Sequence, residues 1–494
     1  MHGTDVATTT AECPAGELTG LDRGPTMVFK GIRFAAANRF AEPIDETSLH
    51  RDGTARPYDA TRFRAQAPQL GGTLETLLGG SRLPTDEDCH HLNIFTPGCD
   101  ENRRPVLFWV HGGAYNTGGG AMPWYDGSRL AERGDVVVVT INYRLGAFGF
   151  LGDRNSGLLD QVSALRWVAR NIAGFGGDPE NVTLFGESAG GSAVIALSAM
   201  SGADSLFHRA LAMSPSIMQY RSLEVGRQLE RSFLDELGVN SVGPVTQMST
   251  EQLLDAQAAL LAAPTKATQH FTPTELTSTI PGPILDASER DARPLVIGTT
   301  RDEATLFTGF DPRRHDWNAA DVERQFRRVF EDGAPRAIEA YRDARPGADA
   351  NRLVCALETD AMFTVSARRL AERRALVGGA TWMYLFDQET PQFGGVLGSC
   401  HALDIPFAFD NLHRPGVDAF VGTAPGRQQV ADRFAEAVVS FACTGEPGWQ
   451  PYDLTSRTTQ RIGPEPAAVS DPGREIRMMW ETVERGAPVQ RSSA

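Results

Sequence analysis

The feature that most constrains this chain is an alternation of strand-like and helix-like segments between residues 106 and 200. Val106 to Val110 is a short apolar run ending in His111-Gly112-Gly113, and Val136 to Thr140 is a β-branched run entering Ile141-Asn142-Tyr143-Arg144. Continuous apolar runs of this length suit strands buried on both faces of a parallel sheet. From Leu158 to Ile172 the residues Leu158, Leu159, Val162, Leu165, Val168 and Ile172 recur at helical spacing, and Gly174, Gly176, Gly177 and Pro179 stop that helix. A strand from Val182 to Phe185, a Gly-rich turn and a small-residue helix from Ala189 to about Met200 follow. The alternation predicts an α/β fold: a large, twisted, mostly parallel sheet flanked by helices, with right-handed crossovers.

Outside this block the pattern loosens. The first hundred residues mix short β-like runs (Met27 to Phe29, Leu92 to Phe95) with Gly and Pro punctuation. Residues 217–285 and 311–375 read as mostly helical and polar, interrupted by strand-like Pro294 to Thr299 and, beyond them, Thr381 to Phe386. No repeat, low-complexity tract or Pro/Ser-rich linker marks a boundary. The expectation is one domain over residues 1–494, with helical excursions that cap one edge of the sheet. A chain of 494 residues buries roughly three quarters of its unfolded surface, so it needs neither disulfides nor a metal to hold a core.

A net charge of −15 without a basic patch argues against nucleic acid as a partner. The first twenty residues lack a basic start and an apolar run, so no secretory signal is read there. The nearest approach to a membrane span, Val136 to Leu151, is broken by Asn142, Tyr143 and Arg144. Six cysteines show no CxxC spacing, and free thiols are the default. These features predict a soluble, cytoplasmic protein; oligomeric state is not legible.

Chemistry concentrates at Gly186-Glu187-Ser188-Ala189-Gly190, a G-x-S-x-G sequence set between a strand and a helix. Such a turn lifts the serine hydroxyl above the sheet edge, and the two glycines let neighbouring backbone approach without a Cβ clash. It also leaves the Ala189 amide at a helix N-terminus, where an unpaired N–H can hold developing negative charge. The competing reading is an ordinary N-cap serine. His111-Gly112-Gly113-Ala114, after an earlier strand, suits further amide donors, with His111 in a structural role that fixes the loop.

A serine nucleophile needs a base and a group to orient it. Where the chain order runs serine, acid, histidine, the base comes late, and only His401 and His413 lie beyond residue 320. Glu303 follows the strand-like Pro294 to Thr299, where strand ends present catalytic groups. Asp302 beside it is a rival that residue types alone do not dismiss.

Seven stretches, FKGIRFA, EDCHHLNIFTP, PVLFWVHGGAY, VVVVTINYRLGAFGFLG, GLLDQVSALRWVARNIAGFGGDPENVTLFGESAGG, GTTRDEATLF and HALDIPFAF, run from about Phe29 to Phe409. Together they resemble the type-B carboxylesterase family, which includes bacterial para-nitrobenzyl esterases, liver carboxylesterases and cholinesterases. The resemblance implies an α/β-hydrolase fold with helical cap insertions and a serine carboxylesterase acting on neutral esters through an acyl-enzyme, with no cofactor. It assigns Ser188 as nucleophile, Glu303 as acid and His401 as base. The oxyanion donors fall on the backbone of Gly113, Ala114 and Ala189, and a supporting serine falls on Ser214. An amidase or thioesterase using the same triad is the alternative, and a non-catalytic binding relative the more distant one.

The departures from the family pattern carry information too. Ala114 stands where a third glycine is common, Ala304 replaces the glycine usual after the acid, and Pro215 follows Ser214. Secreted members pair the cysteine of the EDC motif with one upstream; here Cys89 faces Ala67 in that scheme, so the disulfide is absent. The loop from Arg64 to Asp86 offers Leu70, Leu74, Leu77, Leu78 and Leu83 but no aromatic ring, so a cation–π site for a quaternary amine is not expected. Cys89, His90, His91 and Cys99 lack the paired spacing of a zinc site, and no metal is expected. Trp124 and Tyr125 fit pocket lining and core packing equally, and Cys400 reads as a space-filler.

Overall fold

The computed structural model describes residues 7–49, 56–71, 83–217, 220–262 and 271–486. Its main sheet contains β1 (Thr8–Cys13), β2 (Gly16–Asp22), β3 (Met27–Arg33), β4 (His91–Thr96), β5 (Arg104–Val110) and β6 (Val137–Ile141). It continues with β7 (Gly177–Glu187), β8 (Arg209–Met213), β9 (Leu295–Thr300), β10 (Thr381–Phe386), β11 (Thr458–Ile462) and β12 (Ala467–Ser470). Their order across the sheet is β1-β2-β3-β4-β6-β5-β7-β8-β9-β10-β11-β12, and the short segment Tyr58–Asp59 pairs with β2. From β6 to β11 every pairing is parallel. The wing β1 to β4 and the terminal pair β11–β12 are antiparallel.

The apolar runs are the centre of the parallel block, and strand alternation divides their side chains between two cores. Val106, Phe108 and Val110 of β5 join one core; Leu107 and Trp109 join the other. The first face is covered by α1 (Ser156–Asn171) and α2 (Ala189–Leu197), whose Leu158, Val162, Leu165, Val194 and Ile195 are all buried there. The predicted helix and its Gly-rich stop therefore stand within two residues of their expected bounds.

The excursion beginning at 217 contains α3 (Leu223–Glu236) and α4 (Thr250–Ala262). The second contains α5 (Ala319–Phe330), α6 (Ala334–Ala344), α7 (Ala350–Thr359) and α8 (Val365–Leu376). A π-helical turn, Asp360–Thr364, joins α7 to α8. Further on, α9 (Arg427–Thr444) covers the second face of the sheet through Val430, Phe434, Val438 and Phe441. Next, α10 (Arg474–Gly486) packs on α5 and α6, where Phe326, Phe330, Tyr341 and Trp480 form a separate helical core. No described helix is long and apolar enough to cross a membrane.

Candidate active site

The turn between β7 and α2 carries Ser188 at φ 57°, ψ −122°, a strained conformation for a residue with a Cβ, costing on the order of 1–3 kcal/mol. Ser188 stands at the N-cap of α2, yet its side chain makes no capping bond to the helix. Its backbone fixes the turn instead: the Ser188 amide donates to Met213 O at 2.9 Å, and its carbonyl accepts from Ser192 N at 2.8 Å. The flanking glycines are required by close backbone. A Cβ on Gly186 meets Gly190 and the Val110 carbonyl at 2.7 Å, and one on Gly190 meets the Val110 and His111 carbonyls.

The loop after β5 lies directly against this turn. A Cβ on Gly112 would stand 2.7 Å from Glu187 O and 3.1 Å from Ser188 Cβ. Gly113 (φ 105°), Ala114 (φ 52°) and Tyr115 (φ 59°) curl in the left-handed region, closed by Asn116 N and Thr117 N donating to Gly113 O. His111 supports the loop, as expected. It is buried, its Nδ1 is 2.9 Å from Gly112 O, and its ring stacks on Tyr143 at 4.5 Å. Burial holds its pKa down near 4, so it stays neutral. The Gly113 and Ala114 amides find no acceptor among the described residues. The Ala189 amide opens α2, where the helix itself offers it none.

Glu303, just past the end of β9, is fully buried. Its Oε1 accepts from Thr300 N at 2.7 Å and from Ser214 Oγ at 2.5 Å, while Oε2 lies 2.5 Å from His401 Nδ1. Asp302 turns elsewhere: it pairs with Arg301 at 2.8 Å and Arg345 at 3.1 Å, and accepts from Ser399 N at 3.0 Å. Of the two adjacent acids, Glu303 is the one that faces His401, since neighbours leaving a strand end point apart. His413 is not in this cluster.

Two kinds of residue at the site were not foreseen. Glu187 Oε1 stands 3.2 Å from His401 Nε2, and Asp404 takes the Tyr384 hydroxyl at 3.1 Å nearby. Burial lifts the Glu187 carboxyl to about 8 and that of Asp404 to about 7. For His401 burial works against the charged form, but the surrounding Glu187, Glu303 and Asp404 prevail and raise its pKa. The second group is aromatic. Phe307 and Phe363 stack on each other, with centroids 5.2 and 4.8 Å from the His401 ring. Phe307 sits four residues past Glu303 and could have been flagged; Phe363 arrives on the π-helical turn, which no sequence signal announces.

Trp124 and Tyr125 are core residues, packed with Trp109, Phe185 and Phe409. Cys400 is buried in the same core. His90 lies 3.1 Å from buried Asp160 rather than beside a cysteine ligand set. Leu74, Leu77 and Leu78 fall outside the described residues.

Chemically, a strained serine, a buried imidazole backed by a carboxylate, and unpaired amides at one loop form the parts of an acyl-transfer centre. Comparison with known proteins points the same way. The family described as the carboxylesterase family matches residues 5–477. A para-nitrobenzyl esterase of Bacillus subtilis is 36% identical over 487 residues, covering 94% of this chain and 96% of that protein. A phenmedipham hydrolase of Pseudarthrobacter oxydans is 34% identical over 489 residues, with 94% and 96% covered. Among solved structures, a carboxylesterase of Geobacillus stearothermophilus superposes with a TM-score of 0.83 at 35% identity, covering 96% of this chain and all of that one.

Proposed function

From the premise that the chain belongs to the carboxylesterase family, with its α/β-hydrolase fold and its action on carboxylic ester bonds, we propose the following assignment of roles. Ser188 attacks the ester carbonyl, and His401 takes its proton through Nε2. Glu303 accepts the Nδ1–H of His401, fixing the tautomer and stabilising the imidazolium as it forms. The amides of Gly113, Ala114 and Ala189 stabilise the tetrahedral oxyanion, each such donor being worth about 2.7–4 kcal/mol in comparable sites. His401 then protonates the leaving alcohol, and water repeats the sequence on the acyl-enzyme. The single observation that carries this reading is the buried Ser214–Glu303–His401 chain of contacts at 2.5 Å each.

The substrate class is a neutral ester with an apolar group beside the carbonyl. Phe307 and Phe363 supply aromatic surface next to His401. The six cysteines are all free thiols, which supports a reducing, cytoplasmic setting.

The reading is tested by Ser188→Ala, which should cost on the order of 10⁴ to 10⁶ in kcat while the fold survives. A fluorophosphonate should label Ser188; labelling of Ser192 or Ser214 would overturn the assignment. A panel of neutral esters of graded acyl length against matched amides should show the esters turned over and the amides left.

A further inference from the structure

On the sheet face covered by α8, the ends of β9 and β10 enclose, with α6 and the start of α10, a cavity of about 240 Å³. Four arginines line it: Arg301, Arg345, Arg368 and Arg457. Three are committed. Arg301 pairs with Asp302 and Glu389, Arg345 with Asp302 and the Arg301 carbonyl, and Arg457 with Glu372 at 2.7 Å. Arg368 is not. Its side chain is 13% exposed, and it makes no hydrogen bond among the described residues. Its nearest carboxylate oxygen is Glu372 Oε1 at 4.0 Å, the atom that Arg457 already holds.

A largely buried guanidinium whose Nε is unsatisfied and whose nearest carboxylate is 4.0 Å away retains donors that an anion can take up. Its planar fork matches a carboxylate with two parallel bonds. Of the remaining acids of the cavity, Asp360 feels the Arg368 charge, but neither it nor Asp471 makes an ion pair with Arg368 among the described residues. The Asp360 carboxyl takes the Tyr341 hydroxyl at 2.5 Å and is raised by burial toward its neutral form; Asp471 is claimed by Arg477 at 2.7 Å. The other walls are apolar, supplied by Met383, Leu385 and Ile476 with the rings of Tyr341 and Tyr452.

We infer that this cavity is a binding site for a small organic carboxylate, an aromatic or branched monoacid whose head pairs with Arg368 and whose body lies against Met383, Leu385 and Ile476. Inorganic phosphate fits the guanidinium but not the apolar walls. The site is separate from the proposed ester-binding centre, although it backs onto it. Thr300, whose amide holds Glu303, lines the cavity, and so do Asp360 and Thr364, which bracket Phe363.

Because an esterase centre also receives carboxylate products, the test blocks it first. The enzyme is capped at its reactive serine with a fluorophosphonate, the single adduct is verified by intact mass, and benzoate is titrated calorimetrically at constant ionic strength. Benzoate should bind the capped enzyme at a 1:1 ratio, at least tenfold more tightly than benzamide or inorganic phosphate. Arg368→Gln should weaken benzoate at least tenfold while leaving ester turnover by the uncapped enzyme unchanged, and Arg368→Lys should recover part of the loss. Equal binding of benzoate and benzamide, tighter binding of phosphate, retention in Arg368→Gln, or no heat from benzoate would each overturn the proposal. Failure of the serine to cap would count instead against the proposed reaction.

Discussion

The Ser214 hydroxyl donates to Glu303 Oε1 at 2.5 Å, on the carboxylate oxygen that His401 leaves free. With Thr300 N also donating to Oε1, the carboxylate is held from one side so that its other oxygen meets Nδ1 of the imidazole. An acid oriented in this way cannot be replaced by an amide, because a glutamine can present an N–H where His401 needs an acceptor.

Glu303→Gln should therefore lower kcat by about 10³- to 10⁴-fold with little loss of stability. Asp302→Asn should do the reverse, since Asp302 serves Arg301, Arg345 and the Ser399 amide. Ser214→Ala should fall between, about tenfold in kcat, the cost of one hydrogen bond to a charged group. Steady-state kinetics beside thermal melts separate the three. Equal kinetic losses in the Glu303 and Asp302 variants would leave the assignment without support.

How much of this was legible follows from where information is stored along the chain. The parallel strands β5, β6, β7, β9 and β10 were readable because burial on both faces turns them into apolar runs, as in β6, where every residue is buried. Strands β8 (RALAM) and β11 (TTQRI) were not, being short and carrying polar positions. The hairpin β1–β2 was not readable either, because its outward positions are exposed and its sequence TTTAEC and GELTGLD reads as polar loop. The placement of Ser188 on a strand-to-helix turn was readable from the motif, whose glycines answer to specific backbone clashes. The choice between Asp302 and Glu303 rested on resemblance, because nothing local tells which of two adjacent acids faces inward. Glu187 occupies the free position of the motif, and its contact with His401 depends on a partner over two hundred residues away. Such long-range pairings leave no periodic trace.

The carboxyls around His401 make the pH profile diagnostic. Burial lifts the Glu187 carboxyl to about 8, and Glu187, Glu303 and Asp404 together raise the His401 imidazole above its ordinary range. As the proposed base, His401 works only when neutral, so activity should rise with pH along a limb displaced above the ordinary imidazole range. Glu187→Gln removes one stabiliser of the imidazolium, and the acid limb of kcat/KM should shift to lower pH. An unmoved limb, or one displaced upward, would mean that Glu187 exerts no field on the base.

The thiols give an independent check on compartment. Cys13, Cys89, Cys355 and Cys400 are buried, and burial raises each above the usual thiol range. Thiols in that state are poor nucleophiles toward oxidants. Alkylation of the unfolded, unreduced protein should add six labels, and activity should be indifferent to reductant. Fewer than six would indicate a disulfide and count against the cytoplasmic proposal.

A buried ion pair holds the segment that supports the His111–Tyr115 loop. Asp160, fully buried on α1, accepts from Arg144 through the main-chain amide at 3.0 Å, Nε at 2.8 Å and a terminal nitrogen at 2.6 Å, with His90 3.1 Å away. Arg144 sits in the segment whose Tyr143 hydroxyl donates to His111 O at 2.8 Å and whose Gly146 amide donates to Tyr115 O at 2.7 Å. The ion pair therefore fastens the segment that carries the His111–Tyr115 loop to a helix of the core. Asp160→Asn should cost about 3–5 kcal/mol, because it strands the buried guanidinium. The pH dependence has a definite sign. Burial opposes the Asp160 charge, but Arg144 and His90 prevail and hold its folded pKa well below the usual carboxylate range. Its contribution is therefore fully present above the unfolded value near 3.9 and is lost as pH falls toward the folded one. Urea unfolding midpoints should separate wild type from Asp160→Asn most widely near pH 7, and the gap should narrow below about pH 4. A gap that stays constant into acid, or a variant as stable as wild type at neutral pH, would show that the pair carries no net stabilisation.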